Sequence, residues 1–352
     1  MYGEADLTAR PVFSVFDIGT IQPSVPLDNS TINLMKGYNF EMLREKGIES
    51  HYKCLVTDEG EEISAKDAIA GKIAPTKCRI KFVNRLKPEF IEGEGWDYSM
   101  FGNGKVNNYV HPVEFISRNE LGPNSSVWDR LERGEVTLED FGLPPDFKRG
   151  DKVPDHLKPL LDYSTKFEPD DRYPPHKEII GLLGISPERY ARINDSTRNA
   201  SNLMTDYAFS VGISREDGKV EYITLMSDGL VKDILADAVC TWHEDRLVWK
   251  GLGISKQRIR DQVKKLNPEW YEDIQKAKKE AKKRGVEDFR TLMDPSIEYV
   301  SPSPEFFHAV NNLFRAGTNQ WVQAKVYPVY PQHEESLEDN LDRAMEEFQK
   351  VA

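Results

Sequence analysis

Residues 112–119 restrict the fold most, because Val113, Phe115 and Ser117 alternate there with Glu114, Ile116 and Arg118. Successive side chains of a strand point to opposite sides, so the pattern predicts a strand whose two faces differ. Such a strand belongs in a sheet with one side covered by apolar side chains and the other open to charge. Glu114 and Arg118, four residues apart, share the charged face. A turn, Gly122-Pro123-Asn124-Ser125-Ser126, then supplies two hydroxyls, and Arg130 stands four residues beyond Ser126. A guanidinium fork with short hydroxyl donors beside it suits a phosphate or carboxylate. An edge strand with a surface ion pair and a polar turn accounts for the same residues.

Two more strands are predicted over 219–225 and 230–239, joined at Ser227-Asp228-Gly229, a hairpin signal. Glu221 lies on the first arm and Asp237 on the second, so their carboxylates can face each other across the ladder. They repel unless a cation lies between them, which is how Mg²⁺ is held against nucleotide phosphates. Two unrelated solvent-facing acids are the alternative, but Asp237 is embedded in Ile234, Leu235, Ala236, Ala238 and Val239. A carboxylate buried in such company needs a cation or a donor. Lys256 and Arg260 then share a helix face and, with Arg246, predict a second anion site. His243 reads as a local hydrogen-bond partner, since no second histidine stands at metal-ligand spacing. The loop with Asp162, Ser164, Thr165, Lys166, Glu168, Asp170 and Asp171 mixes hydroxyls, a cation and acids.

The remaining chain divides into a mainly β segment, 1–110, carrying one helix near 32–46, and a larger segment, 111–352. Gly102-Asn103-Gly104-Lys105 reads as a hairpin turn rather than a phosphate loop. The proline-rich stretch 132–178 reads as an ordered excursion, Ser186-Pro187-Glu188 as the start of a central packed helix, and 255–283 as one charged helix. Lys276 to Arg284 reads as a solvated basic face and the tail as an acidic amphipathic helix. Acidic residues outnumber basic ones, 59 to 47, which argues against binding nucleic-acid backbones. Three scattered cysteines without a CxxC pair exclude a disulfide framework and suit a reducing cytoplasm. No apolar run reaches the roughly 18 residues of a membrane span, and no signal peptide opens the chain. A soluble protein is expected, and a homo-oligomer is compatible with all of this.

Taken in order, these pieces resemble the SAICAR synthetase family. Pro112-Val113-Glu114 precedes Arg118-Asn119 and the paired serines; Ser164-Thr165-Lys166 follows the proline-rich excursion. Lys219-Val220-Glu221-Tyr222, then Asp237, Thr241 and Arg246, then Lys256-Gln257 with Arg260-Asp261 complete the series. Ser14-Val15-Phe16-Asp17 is similar to the family's early Ser-Ala-Phe-Asp, and the likeness covers roughly residues 10–275. It implies an α+β, ATP-grasp-like fold with nucleotide between an N-terminal β-rich lobe, 1–110, and a larger α/β lobe, 111–352, with a helical tail. It implies an ATP- and Mg²⁺-dependent ligase that joins L-aspartate to the carboxylate of the imidazole ribotide CAIR, giving SAICAR, ADP and phosphate in purine biosynthesis. On this resemblance Glu221 and Asp237 hold Mg²⁺ and nucleotide phosphates, while Arg118, Ser125, Ser126, Arg246 and Arg260 bind the ribotide phosphate and the substrates' acidic groups. Glu114 and Asp17 orient the imidazole or the amine, and Lys166 and Lys256 supply positive charge; Glu114, Lys166 and Asp237 are the catalytic set. A relative that joins another amine or another heterocyclic carboxylate stays open, as does a nucleotide- or ribotide-binding homologue without catalysis.

Three departures stand out. The family opens on a strand with a Gly-Lys-x-Lys-like pattern over ATP, whereas Tyr2-Gly3-Glu4-Ala5-Asp6 offers acids. Such acids imply a nucleotide held differently or a strand begun upstream of this sequence. Trp242-His243-Glu244-Asp245-Arg246 replaces Pro-Asp-Ser-Ser-Arg, and Asp170-Asp171 replaces His-Asp.

Overall fold

A computed structural model of the protein describes all residues except Met1, 102–105, 123–124, 228 and 333–334. Strands β1 (Tyr2–Thr8), β2 (Tyr52–Val56) and β3 (Lys77–Val83) form an antiparallel sheet in the order β1-β3-β2, closed by the short strand Glu62–Ile63. Helix α1 (Ser30–Glu45) lies against it and buries Leu34, Met35, Phe40 and Leu43. The acids of β1 are matched within the sheet: Glu4 pairs with Lys53, and Asp6 with Arg79 at 2.7 Å, which also reaches Glu62 at 2.5 Å. These pairs are solvent-accessible and add little stability, but they keep the β1 acids neutralised.

The second sheet comprises β4 (Val113–Arg118), β5 (Leu160–Thr165), β6 (Ile213–Ser227), β7 (Leu230–Ala236) and β8 (Arg246–Trp249). Its order is β5-β4-β6-β8, with β7 and the short strand Tyr109–Val110 also pairing with β6. The register aligns Glu114 with Ser164, Ile116 with Asp162 and Lys219, and Arg118 with Asp217. One face therefore carries Glu114, Arg118, Asp162, Ser164, Asp217, Lys219 and Glu221. The other carries Phe115, Tyr163, Val220 and Tyr222, covered by α2 (Pro187–Ser210) through Ile193, Thr197, Ala200 and Met204. Tyr163 donates to Asn194 Oδ1 at 3.1 Å, and the Tyr222 hydroxyl meets that of Thr197 at 3.0 Å, so both buried phenols are satisfied. The two-faced strand expected at 113–118 is present, as are the hairpin and the packed helix after Ser186.

Asp237 differs from expectation in detail. It lies one residue past the end of β7 and adopts a left-handed backbone, φ 61°. The predicted helix over 255–283 is two helices, α3 (Gln257–Leu266) and α4 (Pro268–Arg284), because Pro268 has no N–H to continue the ladder. The Asn267 side chain closes the break by donating to Val263 O at 2.8 Å. Two more helices follow, α5 (Pro304–Val322) and α6 (Leu337–Val351). The acidic tail does form a helix, α6, and it packs Leu341, Ala344, Met345 and Phe348 inward. The excursion at 132–178 is ordered around Val136, Phe141, Leu143 and Val153, which join Val127, Trp128 and Leu160 in a core of their own. The hairpin reading of Gly102-Asn103-Gly104-Lys105 lies outside the described residues.

The main core runs continuously from Phe13 to Phe348. The two sheets are joined by a parallel bridge between Ser50 and Leu235, with His51 N donating to Leu235 O at 2.7 Å and Leu235 N to Glu49 O at 3.1 Å. Among the described residues no helix is long and apolar enough to cross a membrane. Gly218, on β6, is required by a close approach. A Cβ there would fall 1.9 Å from Asp245 Oδ2 and 2.4 Å from an Arg215 nitrogen, inside a buried ion pair. Gly218→Ala should therefore lower stability by about 2 kcal/mol through overpacking. Chemical denaturation measures this, and an unchanged midpoint would contradict it.

Candidate active site

Lys219 is the centre of the charged face. Its ammonium reaches Glu114 Oε1 at 2.6 Å, Glu221 Oε1 at 3.2 Å and Glu244 Oε2 at 3.2 Å. Lys166 also pairs with Glu221 and lies 4.0 Å from Glu114, whose second oxygen accepts from Ser164 Oγ at 3.0 Å. The strand register explains this convergence, since Glu114, Ser164, Lys219 and Glu221 occupy one face of adjacent strands. Asp237 adjoins the group. Its carboxyl is pushed above the ordinary range chiefly by the charge of Glu221, then by burial and Glu244. Burial opposes the charge of Glu244 too, yet Lys219 and Lys256 hold it well below the usual carboxylate range.

A second group lies alongside. Lys256 Nζ donates to Ser14 Oγ at 3.2 Å, and burial, aided by Arg260 and Lys219, pushes its ammonium down to about 8. Asp171 is pushed up to about 8 by burial and by the charges of Glu114 and Asp17. Asp17 and Asp170 share Lys278, at 2.5 and 2.6 Å. The basic stretch at 276–284 is thus no uniformly solvated face: Lys278 turns inward, to 15 % side-chain exposure, because two acids from distant loops meet it.

The arginines form a third group. All three nitrogens of the Arg118 guanidinium donate to Asp162 or Asp217, at 2.8 to 3.2 Å. Arg130 also binds Asp162, at 2.7 Å, and Arg246 also binds Asp217. Three guanidiniums share two carboxylates, so the nest keeps an excess positive charge. Arg118, expected to meet an anion directly, is instead buried among the acids; Arg246, 38 % exposed at its side chain, is the one that reaches outward. The Ser125 hydroxyl is used as a helix cap, accepting from Val127 N at 3.4 Å, and Ser126 is the first residue of that helix, Ser126–Glu132. The Ser125 side chain is thus engaged in capping its own helix.

A cleft of about 270 Å³ opens between the end of β1, α1 and the segment 237–244, lined by Asn33, Lys36, Asp237, Thr241, His243 and Glu244. Lys36 escaped the sequence reading. It is nearly buried, yet its ammonium makes no ion pair with any of the described residues. Its signal was a lysine on the packing side of a helix, beside Leu34 and Met35. His243 Nε2 is buried without a partner among the described residues, and burial pushes the ring down to about 3 and keeps it neutral. No cluster of three or more acid, histidine or cysteine side chains among the described residues could hold a metal unaided. Two carboxylates with phosphate oxygens are an ordinary Mg²⁺ set, however, and the repulsion between Glu221 and Asp237 fits a cation there.

A family profile described as SAICAR synthetase matches residues 13–277. The chain is 31 % identical over 316 residues to the "Putative phosphoribosylaminoimidazole-succinocarboxamide synthase" of Archaeoglobus fulgidus, covering 90 % of this chain and 87 % of that relative. It is 30 % identical over 165 residues to the phosphoribosylaminoimidazole-succinocarboxamide synthase of Thermoplasma acidophilum, 46 % of this chain and 52 % of that one. Its fold is similar to the SAICAR-synthase from Saccharomyces cerevisiae complexed with SAICAR, with TM-score 0.55, 16 % identity, and coverage of 92 % of this chain and 90 % of that chain. It is also similar to the phosphoribosylaminoimidazole-succinocarboxamide synthase from Ehrlichia chaffeensis, with TM-score 0.50, 14 % identity, and coverage of 80 and 91 %. The profile spans most of the chain and the Archaeoglobus relative is matched over 87 % of its length, so the chain belongs to the SAICAR synthetase family.

Proposed function

We propose that this protein is an ATP-dependent carbon–nitrogen ligase that joins L-aspartate to the carboxylate of CAIR, releasing SAICAR, ADP and phosphate in purine biosynthesis. The observation that carries the reading is the convergence of Glu114, Lys166, Lys219, Glu221, Asp237 and Glu244, from separate motifs, into one buried group beside an arginine nest of excess positive charge. Phosphoryl transfer asks a protein mainly for positioned charge, and this site is built of little else.

The reaction balances in two displacements. A carboxylate oxygen of CAIR attacks the γ-phosphorus of ATP, and ADP leaves with the electrons of the broken P–O bond. The amine of aspartate then attacks the carbonyl carbon of the acyl phosphate, inorganic phosphate leaves, and the amine surrenders a proton. Glu221 and Asp237 would hold Mg²⁺, which when bound neutralises phosphate oxygens. Lys166, Lys219 and Lys36 would face those phosphates, Lys36 supplying a cation that the acids of β1 do not. Arg246 and Arg260, backed by Arg118 and the serine-capped helix at Ser125 and Ser126, would take the ribotide phosphate and the carboxylates of aspartate. Glu114 and Asp17 would orient the imidazole and the incoming amine. Residues 1–110 would form the nucleotide lobe and 111–352 the substrate lobe. The cytoplasm is the compartment this reading requires, and the unpaired thiols of Cys54, Cys78 and Cys240 suit it.

Incubation with ATP, Mg²⁺, CAIR and L-aspartate should release ADP and SAICAR in equal amounts. No turnover, or turnover with another amine only, would overturn the proposal. Lys256 gives the reaction a pH signature. An ammonium depressed to about 8 loses its charge above that pH, and Asp171, raised to about 8, gains a negative charge over the same interval. Both changes disfavour anionic substrates, so KM should climb above pH 8, by up to about tenfold per pH unit for each of the two groups. Lys256→Arg keeps its charge and should flatten the part of the climb due to Lys256. An identical alkaline profile in that variant would remove Lys256 from substrate binding.

A further inference from the structure

Helix α5 lies beyond residues 13–277, yet it reaches the segment that presents both Asp237 and Glu244. We infer that α5 is a positioning element of the catalytic site, acting through Thr318 on Trp242 and through Trp321 on Asn39. The inference rests on the proposed function, since it assigns a purpose to the placement of those two acids.

Two buried arms carry it. In the first, Trp242 Nε1 donates to Thr318 Oγ1 at 2.8 Å, and the Thr318 hydroxyl donates to its own helix at Phe314 O, 2.7 Å away. The hydroxyl thus has its proton engaged and a lone pair fixed toward the indole. Trp242 is completely buried, nearly parallel to Phe314 at 6.3 Å between centroids, and a Cβ on Gly317 would stand 2.9 Å from its ring. Glu244 is two residues further on. In the second arm, Trp321 Nε1 donates to Asn39 Oδ1 at 2.8 Å, while Asn39 Nδ2 donates to Val239 O at 2.9 Å and Cys240 O at 2.7 Å. Those carbonyls follow Asp237 by two and three residues. Asp237 and Cys240 both have positive φ, 61° and 51°, a conformation that non-glycine residues hold only where the surroundings enforce it. The α5 contacts supply that enforcement at both ends of the segment. Packing alone does not call for it: a buried hydrogen bond from each indole to a fixed acceptor sets orientation as well as volume.

The test uses the full chain and three variants. Thr318→Val removes the acceptor with little change of size, Thr318→Ser restores it, and Trp242→Phe keeps the stacked ring without the N–H. Binding of Mg²⁺ with ADP is measured by calorimetry, turnover by ADP release, and stability by Tm. Thr318→Val and Trp242→Phe should weaken Mg²⁺·ADP binding and lower kcat by about tenfold, the usual effect of removing a residue that orients a ligand-holding group. KM for CAIR should stay within twofold of the wild-type value, and Thr318→Ser should behave as wild type. If Tm falls while Mg²⁺·ADP binding and kcat stay unchanged, α5 is packing only and the inference fails. It fails equally if Thr318→Ser loses as much as Thr318→Val. A wild-type protein that neither binds Mg²⁺·ADP nor turns over would sink the proposed function and this inference together; unchanged variants of an active wild type would sink the inference alone.

Discussion

Asp237→Asn is expected to lose about three orders of magnitude in turnover, roughly 4 kcal/mol of barrier, while its Tm holds or rises. The two halves of that result have one cause. The Asp237 carboxyl is pushed up chiefly by Glu221, so its ionised form is an electrostatic burden on the folded chain. A carboxyl raised in this way costs stability once the pH exceeds its ordinary value, and the neutral amide removes the cost without changing shape. The same repulsion is what a cation and nucleotide phosphates would use, so relieving it should disable the site. Scanning calorimetry and ADP release on the same preparation measure both. Turnover within tenfold of wild type would take Asp237 out of the chemistry, and a large fall in Tm would show that its charge supports the fold instead.

Lys219→Met should cost about 3 kcal/mol of stability at pH 8 and much less at pH 4.5, because it leaves Glu114, Glu221 and Glu244 facing one another around an apolar side chain. Burial opposes the charge of Lys219, but Glu244, Glu114 and Glu221 raise its ammonium well above the usual lysine value. A cation raised in the folded state by neighbouring carboxylates stabilises it below its own ordinary value for as long as those carboxylates stay charged, and on the alkaline side the benefit ends only as the pH climbs through the raised value. The wild type therefore keeps this contribution across the neutral range. In the variant the carboxylates repel wherever they are ionised, and acid relieves them by protonation. Urea denaturation at the two pH values gives the comparison, and an equal loss at both would contradict the electrostatic account.

Much of this was legible from the chain. The alternation at 113–118 specified a strand with one oily and one charged side, and the register of β4, β5 and β6 follows from burying Phe115, Tyr163 and Tyr222 together. Glu221 and Asp237 are legible because hairpin geometry brings them within reach, whereas Glu114 and Lys166 join them only through the pairing of distant strands and were assigned to the same site by family resemblance. Lys278 and Asp170 are not legible, because their meeting depends on α4 folding across a loop more than a hundred residues earlier, which no local pattern encodes. Lys36 was hidden by its helix, whose apolar periodicity says only that it packs. Helix α5 could have been found: Ser303-Pro304-Glu305 repeats the cap, proline and acid of Ser186-Pro187-Glu188, and the Ser303 side chain does accept from Phe306 N at 3.3 Å. The Arg118 nest shows the opposite limit. Its residue types pointed to an anion site, but only the folded arrangement reveals that Asp162 and Asp217 already divide its arginines between them.

The bridge between Ser50 and Leu235 has a mechanical corollary. It fastens the small sheet to the large one only two residues before Asp237. Were the small sheet to swing so that nucleotide could enter or ADP depart, this fastening would serve as the pivot. Atoms near a pivot travel least, so Asp237 would hold its station while β1 and the outer rim of the cleft swept through the larger arc.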